Sequence, residues 1–138
     1  MSKNMICVWT WAMVFNSEGK VLLTQRGHKA RDDQGMREFP WWAVEFWENT
    51  KQATIREIKE ECNIDITIVR LLEVYENINT IQHRVCTSYI ATYMWWELKR
   101  MEPEKCTAVK RVSLDELNNY ELTNVTKSNY KAYRNLKY

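Results

Sequence analysis

The chain has 138 residues, 45% hydrophobic and 28% charged, a balance that argues against a disordered segment and fits one soluble domain over residues 1–138 with a core of its own. Twenty basic against eighteen acidic residues leave a formal net charge of +2, so no global field draws the chain to a nucleic acid polymer or a membrane surface. Seven Trp against three Gly is abnormal, since average glycine usage is about 7%.

Residues 5–15 (MICVWTWAMVF) and 20–26 (KVLLTQR) are rich in β-branched, apolar and aromatic side chains, and the NSEG between them carries turn chemistry, which predicts a β-hairpin. A polar loop is expected over 27–35, then extended structure over 37–39 up to Pro40. Asn49 or Thr50 can cap a helix over 51–62, and Asn63 suits the left-handed residue that ends one. Residues 64–75 and 84–95 alternate and are β-branched, predicting two strands with a link at 76–83. A charged break at 102–105 precedes a short strand at 107–112, a helical turn opening at Ser113, and a terminal helix over 122–137. The order β-β-β-α-β-β-β-α argues an α+β domain, a mixed sheet with helices packed on its faces.

Cys7, Cys62, Cys86 and Cys106 are scattered with no C-x-x-C pair, and only His28 and His83 could join them in a metal site, so free thiols are expected. With no apolar leader and no long apolar span, a reducing, cytoplasmic location is the expectation.

The chemistry concentrates in Arg56-Glu57-Ile58-Lys59-Glu60-Glu61. At about 100° per residue, Glu57, Glu60 and Glu61 fall within an arc of roughly 100°, with Ile55, Ile58 and Cys62 nearly opposite. Like charges at these spacings repel by a few tenths of a kcal/mol per pair, a cost that a bound divalent cation would reverse. Taken alone, a KEE run is more often a solvated helix face than a site.

What precedes the run changes that weighting. Glu48 stands eight residues before Arg56, Ile64 follows Asn63, and the segment resembles the Nudix box, G-x5-E-x7-R-E-U-x-E-E-x-G-U with U aliphatic. Every charged position of the box matches, whereas Trp42 and Asn63 stand at its two glycines. The segments FPWWAVEFWE and VLLTQR, and MEPEKC followed by SLDEL, resemble the MutT-like nucleoside triphosphate diphosphatases, so the likeness runs through nearly the whole chain.

The resemblance implies a Nudix-like α/β/α sandwich: a mixed sheet with the Nudix loop-helix-loop and a C-terminal helix. It implies a hydrolase that cleaves the diphosphate linkage of a nucleoside triphosphate or other nucleoside diphosphate derivative, with Glu57, Glu60 and Glu61 binding Mg²⁺ or Mn²⁺. Arg56, whose guanidinium does not deprotonate, would fix the carboxylates through Glu48 or Glu45. Glu104 is a candidate for a further ligand or base, and Arg26 for a phosphate contact. A homodimer is compatible with the family.

The family usually carries glycine at the places of Trp41, Trp42 and Trp47, and glycines are common around Trp9, Trp11, Trp95 and Trp96. An indole where the backbone needs φ > 0 costs about 1–3 kcal/mol. This supports a second reading, a weakened or engineered Nudix-fold protein that binds nucleotide or metal without efficient turnover; an acidic-helix interaction module is a third. The tryptophans themselves suit core packing, an association patch or stacking on a nucleobase.

Overall fold

The computed structural model describes residues 5–26, 35–93 and 106–136. Seven strands form one sheet around β1 (Ile6–Phe15), which runs parallel to β6 (His83–Tyr93) over its full length. On the far side of β6 lies β5 (Ile66–Ile78), antiparallel; on the other side β1 meets β2 (Val21–Arg26), followed by β3 (Arg37–Glu38). Off this path, β4 (Trp41–Ala43) pairs with β1 and β7 (Cys106–Val112) pairs with β2.

The two-residue alternation of β1 divides the interior in two. Ala12 and Val14 join Leu22, Trp42, Ile66, Ala91 and Tyr93 on one face, against Ile58, Cys62 and Ile64 at the helix α1 (Thr50–Cys62). Trp11 and Met13 join Leu23, Phe39 and Cys86 on the other, against a 3-10 turn at Leu114–Asn119 and the helix α2 (Asn124–Arg134), through Leu117, Leu122 and Val125. The result is an α/β/α sandwich. Ser88 on β6 ties α2 to its face by donating to the buried Asn129 Oδ1 at 2.8 Å.

Three departures from the expected elements have local causes. β4 lies where the sequence suggests no separate element, because Trp41 and Trp42 are strand residues only through pairing with Trp11 and Thr10 of β1. β5 extends to Ile78 despite the turn-like polarity of Glu76 and Asn77, since these residues pair with Val85 and Arg84 and the connection shrinks to four residues closed by Asn79 N–H on Gln82 O at 2.9 Å. The terminal helix begins at Asn124 rather than near Leu122, because Leu122 bridges to Arg37 and Thr123 N–H donates to Arg37 O at 3.0 Å. Cys7, Cys62 and Cys86 form no disulfide among the described residues; the side chain of Cys106 lies outside them.

Candidate functional site

Helix α1 is specified at both ends. Asn49 accepts from Gln52 N–H at 2.8 Å while the Gln52 side chain accepts from Asn49 N–H at 3.1 Å, a reciprocal cap. Asn63 adopts φ 57°, ψ 37° and its N–H closes on Lys59 O, the left-handed stop expected of it. Polar contacts fix how the helix sits on the sheet. The Thr54 hydroxyl meets that of Thr10 on β1 at 2.7 Å, and the Thr50 hydroxyl meets Tyr89 on β6 at 2.5 Å.

With that placement, Arg56 becomes the centre of the acidic face. Its Nε and Nη2 donate to both oxygens of Glu48, at 2.6 and 2.9 Å, the bidentate geometry a guanidinium suits best. Its Nη1 reaches Glu57 Oε1 at 2.8 Å and Glu60 Oε1 at 2.9 Å, and Glu45 stands 3.6 Å from Nη2. The hydrogen bonds from Arg56 hold the Glu48 carboxyl below its ordinary range, and those that Arg56 donates to Glu48 and Glu60 raise the guanidinium still higher. One cation thus stands among four carboxylates, and the arrangement keeps surplus negative charge. The helix itself opposes it: Glu57, Glu60 and Glu61 occupy the C-terminal half, where the backbone dipole disfavours anions, and only Lys59 offsets them in the last turn.

Glu61 is held separately. The indole of Trp42, buried on the α1 face, donates from Nε1 to Glu61 Oε2. Sequence reasoning placed Glu61 beside Glu57 and Glu60 but did not find this donor, because Trp42 reaches the helix only through the pairing of β4 with β1.

The turn between β4 and α1 explains both the position of Glu48 and the strain at Trp47. Glu48 N–H donates to Glu45 O and Glu45 N–H to Glu48 Oε1, both at 3.1 Å, closing the turn Glu45-Phe46-Trp47-Glu48. Trp47, third in the turn, has φ 75°, the conformation for which such turns take glycine. Among the described residues only Trp47 and Asn63 are non-glycine residues with positive φ, so Trp41 and Trp42 fit their strand without that strain. Trp47 is 92% exposed and stands edge-on to Phe46 at 4.7 Å.

The remaining described tryptophans pack together. Trp41 lies between Trp11 (5.4 Å, nearly parallel) and Trp9 (4.5 Å), and Arg84 caps Trp9 at 4.4 Å. Trp95 and Trp96 lie outside the described residues, as does Glu104; Arg26 ends β2, but its side chain is not described.

Among the described residues, no three His, Cys, Asp or Glu groups converge as a ready-made metal cage. The donor set nevertheless suits a hard cation, because Mg²⁺ keeps several waters and takes one or two carboxylates together with substrate phosphates. No helix among the described residues is long and apolar enough to cross a membrane.

The NUDIX domain family model matches residues 8–136. The chain is 39% identical over 57 residues to the CTP pyrophosphohydrolase of Escherichia coli, a match spanning 41% of this chain and 42% of that protein. A MutT NUDIX hydrolase from Burkholderia pseudomallei superposes with a TM-score of 0.82 at 27% identity, over 94% of this chain and 98% of the other. A MutT protein from Methanosarcina mazei gives 0.83 at 18% identity, over 97% and 96%, a likeness of fold alone. The chain belongs to the Nudix family.

Proposed function

We propose that this protein is a metal-dependent hydrolase of the diphosphate linkage in a nucleoside triphosphate or another nucleoside diphosphate derivative. The observation that carries the reading is the Arg56 cluster. A bidentate clamp on Glu48 and shared contacts to Glu57 and Glu60 fix carboxylates on one face of α1 with negative charge in excess. Such a face is costly for folding and apt for holding a cation.

Glu57, Glu60 and Glu61 would hold Mg²⁺ or Mn²⁺. When bound, the cation supplies screening of the diphosphate charge and acidifies a water. Arg56 keeps the carboxylates in register, and Glu48 locks Arg56 to the turn before the helix. The oxygen of the attacking water bonds to phosphorus, the bridging P–O bond breaks, and a carboxylate takes the proton, with Glu104 a candidate for that role. The products are a nucleoside monophosphate-like fragment and pyrophosphate or phosphate. Arg26, at the end of β2, is the candidate phosphate contact.

The test is product release followed by ³¹P NMR over a panel of (d)NTPs and nucleoside diphosphate derivatives with Mg²⁺ or Mn²⁺. The name of the E. coli relative makes CTP the first compound to assay. Turnover with metal that is lost in Glu61→Gln is expected; no turnover of any compound, or full turnover by Glu61→Gln, refutes the proposal.

A further inference from the structure

We propose that the part of the sheet face left uncovered by α1 is a self-association surface, on which a second copy of this chain docks about a two-fold axis.

Strand register decides which side chains share that face. Thr10 of β1, Thr87 of β6 and Val74 of β5 form one row across the sheet, followed by Val8, Val85 and Glu76 and then by Ile6, His83 and Ile78. The first row touches the helix, because the Thr54 hydroxyl meets that of Thr10. α1 begins at Thr50, whose hydroxyl lies on Tyr89, so the helix runs away from the two rows beyond. There Ile6, Val8 and Ile78, with Val74 and Leu71 beside them on β5, are between 40% and 62% exposed. This is not a scatter of single residues. The large apolar side chains exposed among the described residues all fall within 5–8, 46–55 and 69–81, and none lies on β2 or α2.

β5 also ends the strand order, but its edge is poorly suited to pairing with another strand. Register shifts between Ile68 and Arg70 and between Leu71 and Glu73 mark two bulges, which twist an edge out of a regular ladder. The face is the better surface. Five aliphatic side chains so exposed offer on the order of 400–500 Å², the upper range for the largest patch of a monomer. Two such faces bury roughly 1,000 Å², the size at which a specific interface begins.

The chemistry of the patch fits its own copy. A formal net charge of +2 sets up little long-range repulsion between copies. In the three rows the titratable groups are Glu76 and His83, one acidic and one basic, 3.7 Å apart and so beyond a hydrogen bond. A two-fold axis in the plane of contact, passing midway between them, sets Glu76 of each copy against His83 of the other. The patch is then self-complementary, as an isologous interface requires. Two sheet faces pack in this way at about 10 Å.

The experiment is sedimentation velocity of the full chain from about 1 to 200 µM, with a dimer expected to dissociate on the order of 10 µM. Val74→Lys and Ile78→Lys should each weaken it about tenfold or more, since each buries a charge at the contact. Both positions are more than half exposed, so folding should survive, and circular dichroism checks that it does. Thr67→Lys is the control: it adds the same charge to the same strand, but Thr67 pairs with Thr92, which lies beside Phe15 on the α2 side. A wild type that stays monomeric, a dimer indifferent to both lysines at 74 and 78, or equal weakening by Thr67→Lys overturns the proposal. Glu76→Lys and His83→Glu should each weaken the dimer alone and restore it when mixed in equal amounts, because the new lysine then faces the new glutamate. A mixture that stays monomeric, or a species that grows beyond the dimer, overturns the two-fold arrangement. In wild type, dilution should move the amide resonances of Val8, Val74 and Ile78 and leave those of α2 in place; the reverse pattern refutes this face whatever the variants do.

Discussion

Replacing Arg56 by Gln tests whether the acidic face depends on a single cation. The side chain is 30% exposed, and its main partners Glu48 and Glu57 are 13% and 16% exposed, so the pairs are only partly screened. Removing one partner of a fully buried pair costs about 3–5 kcal/mol, and an exposed pair about 0–1. The intermediate burial and the two-pronged contact with Glu48 place Arg56→Gln at about 2–3 kcal/mol. With a urea slope of about 1–3 kcal/mol/M, the unfolding midpoint should fall by about 0.7–3 M, read from tryptophan fluorescence at neutral pH without metal.

The pH dependence has a definite sign. The folded-state pKa of Glu48 is depressed, chiefly by its hydrogen bonds from Arg56, so the stability it contributes is present above its unfolded value and lost as pH falls through the folded one. The gap between wild type and Arg56→Gln should therefore be widest at neutral pH and shrink below about pH 4. A loss under about 0.5 kcal/mol at pH 7, the range of an ordinary surface substitution, would refute the idea that Arg56 organises the face, as would a gap that ignores pH.

Other substitutions separate local strain from packing. Trp47→Gly should stabilise by about 0.5–2 kcal/mol, since it relieves a positive φ at an exposed position at the smaller entropic cost of glycine; chemical denaturation checks the sign. Trp42→Gly should do the opposite, costing about 3–5 kcal/mol for the cavity left on the α1 face, with a lowered melting temperature as readout. Thr54→Val leaves the buried Thr10 hydroxyl with only the longer contact to Thr87 at 3.3 Å and should cost about 1–2 kcal/mol, with faster amide exchange along α1. Asn49→Ala removes the reciprocal cap and should cost about 1 kcal/mol by the same denaturation assay.

Local signals made α1 readable from sequence. Asn49, a cap candidate together with Thr50, marks its start and Asn63 its end by chemistry confined to a few neighbouring residues, and of the two partners expected for Arg56, Glu48 and Glu45, it is Glu48 that takes the bidentate contact. Elements defined by a distant partner were not readable. The three residues of β4 are a strand because β1 lies beside them, and the last residues of β5 are one because β6 begins opposite. The same distinction governs the tryptophans. Strain at Trp47 follows from the turn it sits in, whereas the ease with which Trp41 and Trp42 enter a strand depends on pairing across the sheet.

Both ends of the acidic face are fastened to the β4–α1 connection, and this has a mechanical consequence. Glu48 belongs to the turn after β4 and grips Arg56; Trp42 belongs to β4 itself and grips Glu61. The carboxylates on α1 are therefore referenced to the segment before the helix as well as to the helix backbone, over more than one helical turn. A change of conformation in residues 44–49 would move Glu48, and with it Arg56, Glu57 and Glu60, while Glu61 stayed with the buried ring of Trp42. The spacing between Glu61 and the other two carboxylates is then set by the connection rather than by α1 alone. Trp47 is the residue of that connection whose backbone is under strain, so relieving it with glycine should alter cation affinity at α1 even though its own side chain lies out in solvent.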